Sequence, residues 1–216
     1  QDEAWLKRYD LSKFQWLFLA GEPLDEPTAR WITDGLGKTV IDNYWQTETG
    51  WPVLCLMPGV ELKPVKFGSP GLPAPGYRLR VINEVTGEDA PAGEKGVLVI
   101  EPPMPPGCLT TVWRNDARFL ASYFGHFKDL LYSSLDWAIR DADGYTFILG
   151  RTDDVINVAG HRLGTREIEE AVASHPAVAE AAVVGVHDDL KGQVPIVFAT
   201  LNAAGRDRAD AATGIL

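Results

Sequence analysis

The sequence predicts an α/β protein with two domains, and three features of the chain support this class. Residues 15–43 have the order strand, helix, strand, which is the building unit of a parallel sheet. Residues 77–101 and 136–149 each contain two strand-length segments joined by a turn, which indicates antiparallel sheet. Residues 165–201 combine one helix-length segment with two strand-length segments, a pattern typical of a small α+β domain.

The first strand-helix-strand unit has clear boundaries. An apolar run at 15–20 predicts a strand that the turn Gly-Glu-Pro ends. Asp25 can cap the following helix, Pro27 fits its first turn, and Gly37 ends it. Thr39 begins the second strand. Because the two strands should run parallel, the loops that follow them should lie at one edge of the sheet and share a cleft.

A β-rich region is predicted next. Alternating side chains at 77–82 and an apolar run at 96–101 indicate an antiparallel pair, and the prolines of 102–107 end it. The segment 136–149 reads as a hairpin around the turn Asp-Ala-Asp-Gly.

Between these strands, residues 114–123 predict a short helix with Phe119 and Tyr123 on one face. We expect this helix to be a connection rather than part of a site.

The second domain is predicted to begin after a charged break, Gly-Arg-Thr-Asp-Asp, at 150–154. Residues 160–164 are interpreted as a glycine-bracketed loop, and Thr165 as the cap of a helix that ends before Pro176. The buried face of this helix is expected to carry Ile168, Ala171 and Val172.

Composition limits the possible functions. A hydrophobic content of 45% is sufficient for a packed core, and a net charge of -10 argues against a nucleic-acid partner. No apolar run approaches the ~20 residues of a membrane span. Cys55 and Cys108 lack disulfide-framework spacing and should be free thiols of a cytoplasmic protein. We expect the chain to start inside a longer polypeptide, and the tail 202–216 to be flexible or part of an incomplete domain.

The loop after the second strand is the strongest candidate for a site. Tyr44 and Trp45 supply flat rings, and Gln46 and Thr47 supply neutral hydrogen-bonding groups. Glu48 supplies a carboxylate that could hold a hard cation. A planar heterocycle with a charged, metal-bound tail would suit this loop, whereas the alternative is an ordinary aromatic-rich turn.

Three motifs in order resemble the adenylate-forming acyl-CoA synthetases. They are Tyr-Trp-Gln-Thr-Glu-Thr-Gly at 44–50, Asp136 before the hairpin, and Gly-Arg-Thr-Asp-Asp-Val-Ile-Asn-Val-Ala-Gly-His-Arg-Leu-Gly-Thr-Arg-Glu-Ile-Glu at 150–169. The resemblance implies an ATP-dependent ligase of propionate metabolism that joins a short-chain carboxylate to coenzyme A through an acyl-adenylate, with Mg²⁺. It also implies two domains. Residues 1–152 would be part of the large AMP-binding domain, with an α/β part at 1–67 and a β-rich part at 68–152. Residues 153–216 would be an incomplete mobile domain.

The resemblance also assigns roles to individual residues. The implied adenine site comprises Gly21, Glu22, Pro23, Asp42, Tyr44, Trp45, Gln46 and Thr47. Glu48 would coordinate Mg²⁺, Asp136 would accept hydrogen bonds from both ribose hydroxyls, and Arg151 would support the ribose. The catalytic set would be Thr47, Glu48 and Arg162, the last of these near a phosphate.

In the second domain, the resemblance places a hinge at Asp153 and the coenzyme A tunnel at Gly160. His161 is assigned a structural role. In the acyl pocket, Trp45 would limit chain length, and Ala20 stands where acetate-preferring members have a larger residue. We therefore predict a preference for propionate, with acetate accepted weakly.

This chain departs from the family pattern in two respects. The family writes Thr-Gly-Asp where this chain has Ser134, Leu135 and Asp136, and leucine is not expected to give the same close turn as glycine. The family's phosphate loop would precede Gln1 and its lysine would follow Leu216, so we expect the 216-residue chain alone to be inactive and to require the remainder of its polypeptide.

Three alternatives remain open. The first is an acetyl-CoA synthetase. The second is a peptide-synthetase or luciferase-like adenylating domain, although Trp45 would leave little space for the larger substrate. The third is a non-catalytic module that binds AMP without the chemistry.

Overall fold

The computed structural model describes residues 8–22 and 24–206, so the predictions for Pro23 and for most of the tail lie outside the described residues. In chain order the elements are β1 (Trp16–Leu19), α1 (Glu26–Leu36), β2 (Thr39–Tyr44), β3 (Leu54–Cys55), β4 (Leu79–Ile82), β5 (Lys95–Ile100), α2 (Asp116–Phe124), a 3-10 helix (Lys128–Leu130), β6 (Tyr132–Arg140), β7 (Thr146–Arg151), β8 (Val155–Val158), β9 (His161–Gly164), α3 (Thr165–Ala173), β10 (Val178–Asp188), β11 (Gly192–Leu201) and α4 (Ala203–Arg206). Three sheets with intervening helices confirm the α/β class. The chain divides into two compact units, the first ending at Ile148 and the second beginning at Leu149.

The first sheet has the order β1-β2-β3, and β1 pairs with β2 in parallel, as predicted. Asp25 caps α1 by accepting a hydrogen bond from the Thr28 amide at 2.9 Å. Gly37 ends the helix in the left-handed region with φ 60°. Because Leu19 is paired with Asp42, the loops after β1 and β2 leave the sheet side by side.

The second sheet has the order β4-β5-β6-β7, and its β4-β5 and β5-β6 pairs are antiparallel. This confirms the predicted β-rich region, although β4 begins at Leu79, two residues later than expected. The main core cluster of the first unit includes aliphatic residues of β4 and β5 together with Tyr132 of β6. The pairing of β5 with β6 shifts register between Val97 and Val99, which marks a β-bulge in β6.

The second unit contains a sheet of order β10-β11-β8-β9, against which α3 packs through β10. The expected loop at 160–164 is wrong, since residues 161–164 form β9 and pair antiparallel with β8. The connection is a two-residue turn in which Ala159 has φ 49° and Gly160 has φ 90°. Positive φ at both central residues is the geometry of hairpin turns that match strand twist.

Two further expectations for α3 are wrong. Thr165 is its first residue rather than its cap, and the Thr165 hydroxyl donates to Asp154 Oδ2 at 2.8 Å. Ala171 is exposed, while Ile168 and Val172 are half-buried, so the apolar face of the helix is narrower than predicted. None of the helices in residues 8–22 and 24–206 is long and apolar enough to cross a membrane.

Candidate functional site

The aromatic loop and Asp136 meet in the first unit, although about 90 residues separate them in sequence. Tyr44, at the end of β2, donates its hydroxyl to Asp136 Oδ2. Gln46 Nε2 donates to the same oxygen at 2.9 Å and to the Ser134 carbonyl at 2.7 Å. Tyr132 in turn donates to Gln46 Oε1 at 3.1 Å. This network holds the Asp136 carboxylate in one orientation.

Asp136 is only 6% exposed, so its hydrogen-bond donors compensate for the loss of hydration around a charged group. Burial raises the pKa of Tyr44 well above its usual value, and the negative charge of Asp136 raises it further. The Tyr44 hydroxyl therefore remains protonated at neutral pH and remains a donor to the carboxylate.

The β-bulge in β6 brings Asp136 to this position. Leu135 occupies the left-handed region with φ 60°, so the expectation that leucine would not adopt the glycine-like turn is wrong. Two serine hydroxyls hold the bulge: Ser133 Oγ accepts from the Leu135 amide at 3.3 Å, and Ser134 Oγ accepts from the Asp136 amide at 3.1 Å. Ser134 also donates to the Leu98 carbonyl at 2.8 Å, which links the bulge to β5.

The left-handed backbone at Leu135 leads to a stability prediction. At most strand positions a protein with glycine is less stable than the same protein with alanine. At a left-handed position the order reverses, because a residue with a side chain in this conformation destabilises the fold by roughly 1–2 kcal/mol. We expect Leu135→Gly to exceed Leu135→Ala in free energy of unfolding by about 1 kcal/mol, because both variants lose the same leucine contacts. Urea denaturation of the two variants measures the difference, and a more stable alanine variant would contradict the strained conformation.

Glu48 is held by two contacts from outside its own loop. Its Oε1 accepts a hydrogen bond from the Tyr123 hydroxyl at 2.8 Å, and its backbone carbonyl accepts one from the Leu109 amide at 2.6 Å. The expectation that α2 is only a connection is therefore wrong, because α2 supplies Tyr123. Within the loop, the buried Thr49 hydroxyl bonds both the amide and the carbonyl of Gln46 and closes a tight turn.

Glu48 fits a magnesium site only as a single ligand. In the described part of the chain, no three His, Cys, Asp or Glu side chains cluster in a way that could hold a metal ion. Mg²⁺ is commonly bound by one or two carboxylates, with phosphate and water oxygens completing its coordination. One carboxylate at the predicted phosphate end is compatible with that mode of binding.

The buried Asp42 carboxylate forms hydrogen bonds within the fold. It is 8% exposed, its Oδ2 accepts from the Leu24 amide at 3.3 Å, and its Oδ1 accepts from the Asn43 amide at 2.8 Å. Asn43 Nδ2 donates to the Leu19 carbonyl at 3.0 Å. Asp42 and Asn43 thus tie the loop after β1 to the end of β2.

The other residues of the predicted adenine site lie on the surface of these two loops. Glu22, Trp45 and Thr47 are exposed. Gly21 has φ 115°, and apart from its two chain neighbours no residue has an atom within 4 Å of where its Cβ would be, so the backbone conformation accounts for this glycine.

Ala20 and Trp45 line the same apolar cavity, which has a volume of ≈ 530 Å³ and lies between the ends of β1 and β2. The other wall residues are Phe18, Leu19, Asn43, Gly50, Trp51, Pro52 and Cys55. Cys55 is a free thiol whose pKa is raised by burial, so it contributes a neutral wall.

The remaining predicted residues belong to the second unit. Arg151 donates from its Nε and a terminal nitrogen to the two carboxylate oxygens of Asp153, at 2.9 and 3.0 Å. This guanidinium lowers the pKa of Asp153. Arg162 donates to the Thr152 carbonyl at 3.2 Å, and Gly160 lies in the β8-β9 turn.

Sequence reasoning missed four residues of the network: Thr49, Tyr123, Tyr132 and Ser134. Thr49 lies inside the motif at 44–50, so its position in the sequence could have indicated a role in the site. The two tyrosines fall in apolar patterns typical of core residues, so their hydroxyl contacts left no local signal.

Two family descriptions match the chain. Residues 1–105 match the AMP-binding enzyme family, and residues 167–213 match the AMP-binding enzyme C-terminal domain.

Relatives and a solved structure agree with these matches. A propionate–CoA ligase of Escherichia coli (strain K12) is 59% identical over 195 residues, covering 90% of this chain and 31% of the relative. An acetyl-coenzyme A synthetase of Pyrobaculum aerophilum is 46% identical over 202 residues, covering 92% of this chain and 30% of the relative. The crystal structure of an anthranilate–CoA ligase with anthranoyl-AMP superposes with a TM-score of 0.75 and 27% identity, covering 96% of this chain and 38% of that chain. The chain thus spans about a third of the length of the curated relatives it matches.

Proposed function

Because the chain belongs to the AMP-binding enzyme family, we propose that it supplies the adenosine-holding surface of an ATP-dependent short-chain carboxylate–CoA ligase. Propionate is the preferred acid in this proposal, and acetate is the weaker one. The identity to a propionate–CoA ligase, 59%, exceeds the identity to an acetyl-coenzyme A synthetase, 46%, and supports this order.

The reaction has two steps. A carboxylate oxygen attacks the α-phosphorus of ATP, forming an acyl-adenylate and releasing diphosphate. The thiolate sulfur of coenzyme A then attacks the acyl carbon, forming the thioester and releasing AMP. AMP leaves far more readily than an oxide ion would, so the phosphoanhydride energy is carried into the thioester.

The observation that carries the proposal is the convergence of Tyr44 and Gln46 on Asp136. Both donors reach the same carboxylate oxygen, which fixes the plane of the group. An oriented carboxylate can accept two hydrogen bonds from a ribose diol, and such bonds to a charged acceptor are stronger than neutral ones. We assign Asp136 to the ribose and the surface of the loops at 20–22 and 44–47 to the adenine.

Glu48 is proposed to hold Mg²⁺, which when bound would neutralise charge on the ATP phosphates. Tyr123 keeps the Glu48 carboxylate oriented. Arg162 is proposed to contact phosphate, Arg151 the ribose and Gly160 the coenzyme A path, and Thr47 is proposed to act with Glu48 and Arg162 in catalysis. These roles, the hinge at Asp153 and the domain assignment remain predictions. A cytoplasmic location is part of the same proposal.

The shared cavity of Ala20 and Trp45 supports a short acid. A tryptophan in the wall occupies the space that a larger acyl group would need, which disfavours an amino-acid or luciferin substrate. The small side chain of Ala20 leaves room for the terminal methyl group of propionate.

Nucleotide binding by the 216-residue chain tests the proposal. We expect saturable 1:1 binding of AMP in isothermal titration calorimetry, with 2′-deoxy-AMP bound about 10-fold more weakly because one hydrogen bond to a charged group is lost. Cytidine monophosphate is the control for the base. Absence of AMP binding, or equal binding of all three nucleotides, would contradict the proposal.

Catalysis is tested in a chimera in which this chain replaces the matching 31% of the Escherichia coli propionate–CoA ligase. We expect propionyl-CoA formation by the chimera and no acyl-AMP formation by the 216-residue chain alone. AMP binding by the chain together with an inactive chimera would favour the non-catalytic module instead.

A further inference from the structure

Two tyrosines from different elements stack behind the loop that carries Gln46 and Glu48. Tyr123 of α2 and Tyr132 of β6 lie with ring centroids 5.3 Å apart and planes 4° from parallel. Tyr132 is 1% exposed, and Phe124 packs edge-on against it at 5.7 Å. The stack therefore fixes both rings with respect to the sheet.

The hydroxyls of the two stacked tyrosines form hydrogen bonds with different residues of the loop. Tyr123 donates to Glu48 Oε1 at 2.8 Å, and Tyr132 donates to Gln46 Oε1 at 3.1 Å. The Ser134 carbonyl and the Asp136 carboxylate can only accept, so the Gln46 amide oxygen faces the other way, where the Tyr132 hydroxyl donates to it and holds the amide in this orientation. The Gln46 nitrogen is then turned to the Ser134 carbonyl and to Asp136, at 2.7 and 2.9 Å.

We propose that Tyr123 and Tyr132 are a pair of positioning residues, with Tyr123 orienting Glu48 for the cation and phosphate end of the ligand and Tyr132 orienting Asp136, through Gln46, for the ribose end. This inference rests on the proposed function. A single rigid stack thereby sets the spacing between the two carboxylates.

Packing alone does not account for these hydroxyls. The core contacts of both residues are made by their rings, and phenylalanine would fill the same space without burying a polar group. Each hydroxyl instead bonds a side chain of the candidate site. Partners of this kind, behind a ligand-binding group, commonly change metal affinity or activity by about 10- to 100-fold when removed.

The test uses Tyr123→Phe and Tyr132→Phe in the 216-residue chain, since both variants keep the stacked rings. For Tyr123→Phe we expect about a 10-fold rise in the Mg²⁺ concentration that half-saturates ATP binding, with AMP affinity unchanged in Mg²⁺-free buffer. For Tyr132→Phe we expect AMP affinity to fall about 10-fold, with the Mg²⁺ dependence unchanged. Tyr145→Phe is the matched control, because its hydroxyl bonds the Pro64 backbone carbonyl at 2.6 Å.

Double-mutant cycles separate positioning from general destabilisation. Tyr132→Phe should have no further effect on AMP affinity in a Gln46→Ala background, and Tyr123→Phe none on the Mg²⁺ dependence in a Glu48→Gln background. Additive losses in either cycle, or the same loss of both readouts in both single variants, would overturn the inference while leaving the proposed function intact. A wild-type chain that binds neither AMP nor ATP would instead refute the proposed function, and this inference with it.

Discussion

The Asp136→Ala variant is expected to lose AMP affinity by about 100-fold or more, as measured by calorimetric titration of the 216-residue chain. The change removes the carboxylate proposed to accept both ribose hydroxyls. It also leaves the Tyr44 hydroxyl and the Gln46 amide without their shared acceptor. Each buried donor without a partner costs roughly 1–3 kcal/mol, so the free energy of unfolding should fall as well.

Asp136→Asn separates binding from folding. The asparagine oxygen can accept from Tyr44 and Gln46, which directs its NH₂ group toward the position proposed for the ribose. A donor then faces the hydroxyls where an acceptor is needed. We expect stability close to wild type and an AMP affinity reduced about 10- to 100-fold.

Asp143→Ala is the control for removal of a carboxylate. Asp143 lies in the β6-β7 turn, its side chain is 74% exposed, and its partner is Lys66. AMP affinity should be unchanged, because exposed ion pairs contribute little and this one lies outside the network. If Asp136→Ala and Asp136→Asn both bind AMP like the wild type, Asp136 is not the ribose acceptor.

The parts of the site that could be predicted from sequence follow from strand direction. Two parallel strands with a helix between them place their following loops at one edge, and β1 and β2 do so with Leu19 opposite Asp42. The position of Asp136 near the loop came from the resemblance to a family. Periodicity alone gives no information about contacts between residues 44 and 136.

The missed contacts depend on tertiary packing. Tyr123 bonds a residue 75 positions earlier, and its sequence context, an apolar helical face, is shared by many core tyrosines. Leu135 was misjudged because a left-handed leucine is unfavourable by itself, whereas hydroxyls of Ser133 and Ser134 stabilise the bulge around it. The β8-β9 turn was misjudged for a similar reason, since Ala159 carries no sequence signal for its φ of 49°.

Trp45→Gly in the chimera is expected to reverse the order of substrates, with hexanoate used in preference to propionate. Trp45 and Ala20 line one cavity, so removal of the indole extends the space available to the acyl chain. Each methylene that this space accepts contributes about 0.8 kcal/mol, and a single methylene typically discriminates between substrates by ~10- to 200-fold. The measurement is kcat/KM for acetate, propionate, butyrate and hexanoate.

Ala20→Val changes the opposite wall of the same cavity and should shift the substrate preference toward a shorter acid instead of a longer one. Two added methyl groups should exclude the terminal methyl of propionate while leaving room for acetate, so the ratio of kcat/KM for propionate over acetate should fall about 10-fold or more. Trp113→Ala is the matched control for loss of a tryptophan, because Trp113 is 85% exposed and does not line the cavity. If Trp45→Gly and Ala20→Val both retain the wild-type substrate ratios, the acyl group binds outside this cavity. That result would not affect the nucleotide site, which is tested separately by the dependence of AMP binding on Asp136.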